Sequence, residues 1–535
     1  MSNSQVTDKS GVQQPRRSGT RAAAVMVAAG MLLSRIAGLI RERAFAHYLG
    51  TSDAADAFRA AFRIPNFLQN LFGEGVLSAS FIPVYARLDA EGRHEEASEL
   101  AEAIFSLLFV TTTAIVALGI FFTPWLIDAV APGFGGEKRL LTINLVQILF
   151  PGAGLLVFSA WCLGILNSHR KFFLSYAAPV AWNAILVAVF IWKGAHLPDG
   201  TLVVWVAWAS VAGSGLQFLV QLPVVLRFLW PLRAHMRLGS ENVRTVVRNF
   251  FPVFTSRGVV QISAYVDQLL ASYLPIGAVA VLGYAQTLST LPVSLFGMAV
   301  SAAELPAMSS ALGTADEIAA TLRRRVSQGL EQISYFVVPS AVAFLLLGDV
   351  VAATIYRSGQ FGATDVNWAW GVLAGSGVGL LASTSGRLYS SAFYALRDTR
   401  TPLNFAIIRI ALTISLGYLF ALPLPPTLGI DRRWGVAGLT LSAGIAGWVE
   451  FVLLRRSLHK RVGVVPYSVM RIFKLWAAAV VAAAAGYAIK VIIPSEHPVV
   501  VGACVLVPYG MAYLLLTSLM GISTIGGALR ALRRR

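Results

Sequence analysis

The sequence predicts an all-α polytopic membrane protein, with about fourteen transmembrane helices in two six-helix lobes related by a pseudo-two-fold, plus two extra C-terminal helices. Three observations predict it. The 535 residues are 56% apolar and only 13% charged, against roughly 25% charged in soluble domains. The apolar residues gather in runs near the ~20 residues that a helix needs to cross a bilayer. The 43 Lys and Arg fall mostly between those runs, in segments alternately rich and poor in them. This composition excludes a soluble enzyme and a disordered chain. A disulfide scaffold is excluded as well, since the two Cys, Cys162 and Cys504, both lie inside apolar runs.

The elements follow in order. Residues 1–21 are polar, with Lys9, Arg16, Arg17 and Arg21, and are expected to form a disordered cytoplasmic tail. No small-residue cleavage site follows a short apolar segment, so no removable signal peptide is expected. Apolar runs place spans at 22–48, 54–84, 101–123, 142–166, 177–193 and 202–226, a first lobe over 22–228. Segment 229–249 is a basic amphipathic linker. Spans at 250–274, 277–308, 331–348, 366–390, 403–422 and 435–454 make a second lobe over 250–455. The loop 309–330 sets Ile318, Leu322 and Val326 against Arg323–Arg325, and both it and the linker are expected to lie as helices on the inner membrane surface. Spans 472–493 and 499–521 fall outside both lobes, within 456–525, and 526–535 is a basic tail.

Cation counts orient the chain. Segments on the side of the two termini carry 28 Lys and Arg, whereas those on the other side carry 7. That bias marks a cytoplasmic face, so both termini are expected there. The net charge of +17 is then mostly topology, with attraction to anionic membrane lipids as a by-product. No nucleic-acid partner is expected.

Landmarks recur at an offset of 222 to 227 residues. Ser34-Arg35 is echoed by Ser256-Arg257, Pro65 by Pro292, Pro83 by Pro306, Gly133-Phe134 by Gly359-Gln360-Phe361 and Pro179 by Pro402. Six spans per half is an even number, so the repeats run parallel about an axis along the membrane normal. Transporters commonly use this arrangement, with the substrate site between the halves.

Eight cations counted to neither side lie inside predicted helices: Arg35, Arg41, Arg43, Arg59, Arg63, Arg257, Arg387 and Arg409. The acids Glu42, Asp56, Glu74, Asp267, Glu304 and Glu450 join them. Each is costly against lipid and is expected to face protein or a wet cavity. Along the second helix Asp56, Arg59, Arg63, Asn66 and Asn70 step by three or four and share a face. Two readings are open. In one, the acids neutralise the Arg in structural ion pairs while terminal Arg such as Arg43 snorkel; Arg409 and Glu450, outside the cluster, suit it. In the other, the Arg line a central cavity for a large anion. A guanidinium offers phosphate two parallel hydrogen bonds and stays charged when dehydrated.

No nucleotide-phosphate loop is present, so bound ATP is not the expected energy source. The seven His are scattered, without metal-ligand spacing. A transporter is expected rather than an enzyme.

The pattern resembles the MviN/MurJ family of lipid II flippases, within the multidrug/oligosaccharidyl-lipid/polysaccharide exporter superfamily. The resembling residues include Ser34-Arg35, Gly38 and Arg41-Glu42, then Asp56-Ala57-Phe58, Pro65-Asn66, Glu74-Gly75 and Pro83. Further on come Ala131-Pro132-Gly133-Phe134, Ala178-Pro179, Gln221-Leu222-Pro223, Tyr284-Ala285, Gly359-Gln360-Phe361 and Asp398-Thr399-Arg400-Thr401-Pro402. The resemblance implies translocation of undecaprenyl-diphosphate-linked peptidoglycan precursor from the cytoplasmic to the periplasmic leaflet of a bacterial inner membrane, by alternating access. It implies substrate-cavity roles for Arg35, Arg41, Asp56 and Asn66, to which the charge pattern adds Arg59, Arg63, Glu74 and Arg257. It implies an apolar groove for the polyprenyl tail at the two extra helices. A monovalent cation site at Asp267 and Asp398 is implied as well, with Na+ or the membrane potential as driving force. A monomer is expected, with cell-wall synthesis proteins as candidate partners.

The chain departs from the family pattern at four places. A helix-two Arg is Gln69, the Arg and Glu after Tyr284-Ala285 are Thr287 and Thr290, and an amide near the end of helix ten is Tyr394. Arg257, Arg59 or Arg63 is expected to take over from the missing Arg. The alternatives are a diverged exporter of another polyprenyl-linked glycan or a non-transporting scaffold of envelope assembly.

Overall fold

The computed structural model describes residues 17–72, 77, 79–229, 239–310, 314–493 and 496–522; the side chains of 17–28, Leu71 and 251–264 lie outside the description. Among the described residues there is no sheet, and fourteen long helices follow one another. The first lobe holds α1 (Arg17–Leu49), α2 (Asp53–Phe72), α3 (His94–Phe121), α4 (Gly136–Ser168), α5 (Phe172–Lys193) and α6 (Asp199–Leu229). The second holds α7 (Glu241–Ser272), α8 (Ala278–Ser309), α9 (Ala315–Leu346), α10 (Ala363–Ala395), α11 (Arg400–Ala421) and α12 (Gly435–Val462). The extra pair is α13 (Val469–Ile492) and α14 (Pro498–Leu519).

By length and hydropathy, ten of these helices are able to cross a membrane; the others are α1, α2, α7 and α10. The first three carry charges, and α10 is rich in Gly, Ser and Thr. Helices of that kind belong against protein or a polar cavity rather than lipid.

Three boundaries differ from expectation. The span 54–84 is not one helix: α2 ends at Phe72, just before Gly73-Glu74-Gly75 in the sequence, and a short helix Ile82–Ala90 begins with Pro83 in its first turn. The 309–330 segment does not form a separate surface helix. Thr314 and Glu317 cap its start reciprocally, and the helix continues unbroken through Leu346. The linker expected over 229–249 is already helical from Glu241, and 230–238 fall outside the described residues.

The repeat is visible element by element. Each lobe follows its third long helix with a short one, Thr123–Val130 or Gly348–Tyr356, then a Gly-containing loop and its most buried long helix. Each then closes that long helix with an Arg in the left-handed region, Arg170 at φ 59° and Arg397 at φ 58°, the two non-Gly residues so placed among those described. Around both, the amide one residue on reaches back five positions, Lys171 to Leu166 and Asp398 to Phe393.

Buried side chains form two clusters. The larger runs through the second lobe and crosses into the first at Phe45–Ile64, Leu145–Phe150 and Leu202–Ala207. The smaller holds first-lobe residues Leu77–Leu108 and Val157–Leu166 together with Val225–Val246. The lobes therefore share one core at the end opposite the first and last described residues and, apart from the start of α7 at Val243 and Val246, part toward the other end. α8 bends at that parting, where Pro292 is followed by a π-turn over Val293–Met298.

Candidate functional site

Between the parted lobes lies a cavity of about 490 Å³. Helical spacing brings Arg35, Gly38 and Arg41 of α1 to it, together with Arg59, Phe62, Arg63, Asn66 and Asn70 of α2. α7 contributes Tyr265 and Gln268, and α8 contributes Gly283, Gln286, Thr287 and Thr290. Four Arg thus face a single acid, Glu42. Glu42 Oε1 accepts from Arg41 Nη2 at 2.5 Å and from Arg59 Nη1 at 3.3 Å, and Oε2 accepts from Arg59 Nη2. Aromatic faces hold the guanidiniums: Arg59 lies over Phe45 at 4.5 Å and Tyr284 at 4.8 Å, Arg41 over Trp182 at 4.7 Å, and Arg63 over Tyr265 at 5.7 Å. Arg59 Nε is buried without a hydrogen-bond partner among the described residues. Arg35 and Arg63 make no salt bridge among the described residues. The cavity is therefore cationic, rigidly backed and supplied with uncommitted donors, which suits a multiply charged anion.

Arg43, Arg409 and Arg387 lie away from this cavity. Arg43 Nη1 donates to the Thr354 and Ile355 carbonyls at 2.9 Å each, capping the short helix Gly348–Tyr356 of the other lobe. Arg409 pairs with Glu450 at 3.1 Å, and Arg387 lies within electrostatic reach of that pair. The described buried cations thus divide into a set that lines the cavity and a set held by contacts elsewhere.

Asp56 is not where its spacing on α2 suggests. It does not line the cavity; it is 1% exposed and sits at the closed end. Its carboxylate accepts from Lys138 Nζ at 2.6 Å and from the Gly277 and Ala280 amides at 2.8 Å each. Asp56 thus caps the first turn of α8 from across the lobe boundary. Around it, Thr51 Oγ1 donates to Asp365 at 2.7 Å, and the Tyr284 hydroxyl donates to the Gly50 carbonyl at 2.8 Å. Two glycine contacts complete the seal. The Gly133 amide donates to Ser272 Oγ at 3.1 Å, and a Cβ on Gly133 would stand 2.1 Å from the Ser272 carbonyl oxygen. Beside Gly359, the Gln360 amide donates to the His47 carbonyl at 2.9 Å, and a Cβ on Gly359 would stand 2.2 Å from that same oxygen.

Asn66 reaches the cavity, as do Arg35, Arg41, Arg59 and Arg63. Glu74 lies outside the described residues; Arg257 lies within α7, but its side chain is outside the description. The two residues expected to hold a monovalent cation are differently engaged, Asp267 Oδ1 being buried with no hydrogen-bond partner among the described residues. Asp398 Oδ2 is taken by Arg461 at 2.6 Å and Thr401 Oγ1 at 2.7 Å, and Oδ1 by the Arg400 and Thr401 amides at 3.0 Å each. Those donors hold its carboxyl below the usual range, the Thr401 hydroxyl first among them. Asp267 has Arg63 and Arg409 as its charged neighbours, and Tyr394 is half-exposed. Among the described residues no three His, Cys, Asp or Glu assemble into a metal-binding group.

Sequence reasoning missed Tyr265, Gln268 and Gln286, neutral residues whose signal is only their shared side of α7 or α8. It also missed Lys138, which reads as an ordinary loop cation.

Comparison with known proteins gives this arrangement a family. The profile described as "Lipid II flippase MurJ" matches residues 45–510. A lipid II flippase MurJ from Burkholderia cenocepacia is 33% identical over 441 residues, covering 80% of this chain and 82% of its own. A probable lipid II flippase MurJ from Rhizobium tropici is 31% identical over 448 residues, 82% of this chain and 80% of its own. Among solved structures, a lipid II flippase MurJ in an inward closed conformation superimposes with a TM-score of 0.76 at 22% identity, over 93% of this chain and 98% of that one. With its profile match, its relatives and its fold in agreement, the chain belongs to the lipid II flippase MurJ family.

Proposed function

We propose that this protein is a flippase for a polyprenyl-diphosphate-linked peptidoglycan precursor, lipid II, in the bacterial inner membrane. The observation that carries the reading is the cavity between the lobes, where four Arg face one Glu. Arg35 and Arg63, which make no salt bridge among the described residues, grip the diphosphate first, while Glu42 keeps Arg41 and Arg59 aimed inward. An apolar pocket of about 330 Å³ between α8 and α9, with Tyr509 of α14 in its wall, is suited to part of the lipid tail. The 28:7 cation asymmetry supports a cytoplasmic terminus end, so the described state opens inward and the seal around Asp56 is periplasmic. Transport then consists of opening that seal while the lobes close at the cytoplasmic end.

The decisive experiment depletes a bacterium of its own lipid II flippase and supplies this gene. Growth and precursor translocation are expected to recover, and an Arg59→Ala/Arg63→Ala double variant is expected not to restore them. Failure of the wild type despite normal membrane insertion overturns the reading. Thr287 and Thr290, uncharged on the cavity wall, favour a second reading, an exporter of another polyprenyl-linked glycan. That reading gains if the wild type fails here yet binds such a glycan lipid.

A further inference from the structure

Two tyrosines of the second lobe reach across to the first in the same way. Tyr284 of α8 sets its ring against the Arg59 guanidinium at 4.8 Å and donates its hydroxyl to the Gly50 carbonyl at 2.8 Å. Tyr265 of α7 sets its ring against Arg63 at 5.7 Å and donates its hydroxyl to the Arg63 carbonyl at 2.8 Å. Arg59 and Arg63 are about one helical turn apart, so both stacks fall on one face of α2.

The two contacts differ in what else holds the Arg. Arg59 is pinned by both carboxylate oxygens of Glu42 and by a second ring, Phe45, at 4.5 Å, while Tyr284 is fully buried. Arg63 makes no salt bridge among the described residues. At 5.7 Å its guanidinium lies near the ~6 Å limit of cation–π attraction, so a small displacement takes it off the ring. The lobe-to-lobe hydrogen bonds at Thr51, Asp56, Gly50 and Gly133 lie off the cavity wall, whereas Arg63 and Tyr265 both line it. A ligand in the cavity meets this contact at both of its ends.

Charge decides which way a ligand acts on it. Arg63 is attracted to the negative face of the Tyr265 ring, and Asp267, two residues on along α7, lies within electrostatic reach of it. An anion bound to Arg63 draws the guanidinium toward itself. It also places negative charge beside the ring face and the Asp267 carboxylate. Both attractions of α7 for Arg63 weaken as a result.

We propose that Tyr265 is a latch between the lobes that an anion on Arg63 releases, so that loading the cavity loosens the closed end. The proposal rests on the diphosphate-lipid reading above and deepens it. While the closed end is shut, Arg63 is shared between Tyr265 and the diphosphate; once the lobes part, the diphosphate has it alone. Binding and opening are then coupled, and by reciprocity whatever weakens the latch strengthens binding. Tyr265 is a positioning residue, acting through Arg63. Removing a ring that merely packed against the ligand would have the opposite effect and weaken binding.

The test makes two measurements on full-length protein in nanodiscs. Undecaprenyl diphosphate is titrated against wild type, Tyr265→Phe and Tyr265→Leu. In a Cys504→Ser background, spin labels on Glu137→Cys and Thr364→Cys, exposed positions of the two lobes beside the closed end, report its width with and without the lipid. Tyr265→Leu is expected to bind about five- to ten-fold more tightly than wild type and to show the wider distance before lipid is added. Wild type should show that distance only with lipid. Tyr265→Phe, which keeps the ring and loses the hydroxyl bond, should fall between, and it carries the comparison should Tyr265→Leu fail to fold. Variants that bind no more tightly than wild type overturn the latch, as does a wild-type distance that the lipid leaves unchanged. If wild type binds none of the lipid, the diphosphate reading falls, and equal lipid-free distances in wild type and variants then overturn the latch separately.

Discussion

Asp56 of α2 accepts the Ala280 amide at 2.8 Å, so a carboxylate of one lobe caps the helix that lines the cavity from the other. The contact ties the conformation of the closed end to the position of α8. Asp56→Ala strands two helix-terminal amides and removes the buried partner of Lys138, leaving it only the half-exposed Asp53 at 2.9 Å. Breaking a buried pair costs ~3–5 kcal/mol, and Asp53 lessens that. The expected outcome is a leakier seal. In a Cys504→Ser background with Gln286→Cys in the cavity wall, a membrane-impermeant thiol reagent applied from the side of the closed end should label Asp56→Ala several-fold faster than its parent.

Arg63 lies in the cavity wall over the Tyr265 ring and makes no salt bridge among the described residues. Its donors are available to a ligand, and a charge-assisted hydrogen bond contributes ~1.5–3 kcal/mol. Arg63→Ala should weaken binding of undecaprenyl diphosphate about ten- to a hundred-fold. Arg409→Ala, which breaks the pair with Glu450 away from the cavity, should lower thermal stability and leave that affinity nearly unchanged. Titration beside melting curves separates the two effects.

Asp398 is saturated by Arg461, Thr401 and two amides, which leaves no coordination for sodium. Transport in proteoliposomes should therefore keep its rate within about two-fold when Na+ is replaced by K+ at constant membrane potential, a change of well under 1 kcal/mol. A collapse of transport without Na+ would contradict this assignment.

His169 closes α4 at its terminus end, stacked on Phe228 with ring centroids 3.9 Å apart and its Nε2 2.9 Å from the Tyr85 hydroxyl. Burial holds its pKa below the ordinary value; the Asp89 carboxylate opposes this and nearby His94 reinforces it. The folded state thus binds fewer protons than the unfolded one as pH drops through roughly 6.5 and below, so stability falls with acidification. The melting temperature should decline from pH 7.5 to 5.5, and His169→Gln should flatten the decline. Invariance of the slope would exclude His169 as its source.

Arg170 and Arg397 hold left-handed conformations that cost a branched or long side chain ~1–2 kcal/mol. Arg397→Gly should raise stability by up to about 1 kcal/mol, the relief being partly offset by chain entropy in the unfolded state. Arg397→Val should lower it. Chemical denaturation in detergent reads the sign.

The charged cavity was legible in the sequence because an Arg inside an apolar run has few places to go. Arg35, Arg41, Arg59 and Arg63 had to face a common polar space, and spacing along α1 and α2 named it. Asp56 shares that spacing, yet its partners Gly277 and Ala280 stand more than 200 residues away. No periodicity reports a cap supplied from another lobe. The amphipathic stretch that opens α9 misled for a related reason. The same pattern serves a helix lying on a membrane and one that extends a span, and only tertiary packing decides.

The Gly133–Ser272 and Gly359–His47 contacts are images of each other, each lobe laying a glycine loop on the end of the other's first helix. In symmetry terms the closed end is an isologous dimer interface that one chain forms with itself. A rotation about the internal two-fold loosens both halves of this interface by the same amount, so neither lobe needs to deform first. Crowding one half with Gly359→Ala would turn a balanced hinge into a lopsided one. Duplication has thus given the chain a symmetric door whose two leaves must move together.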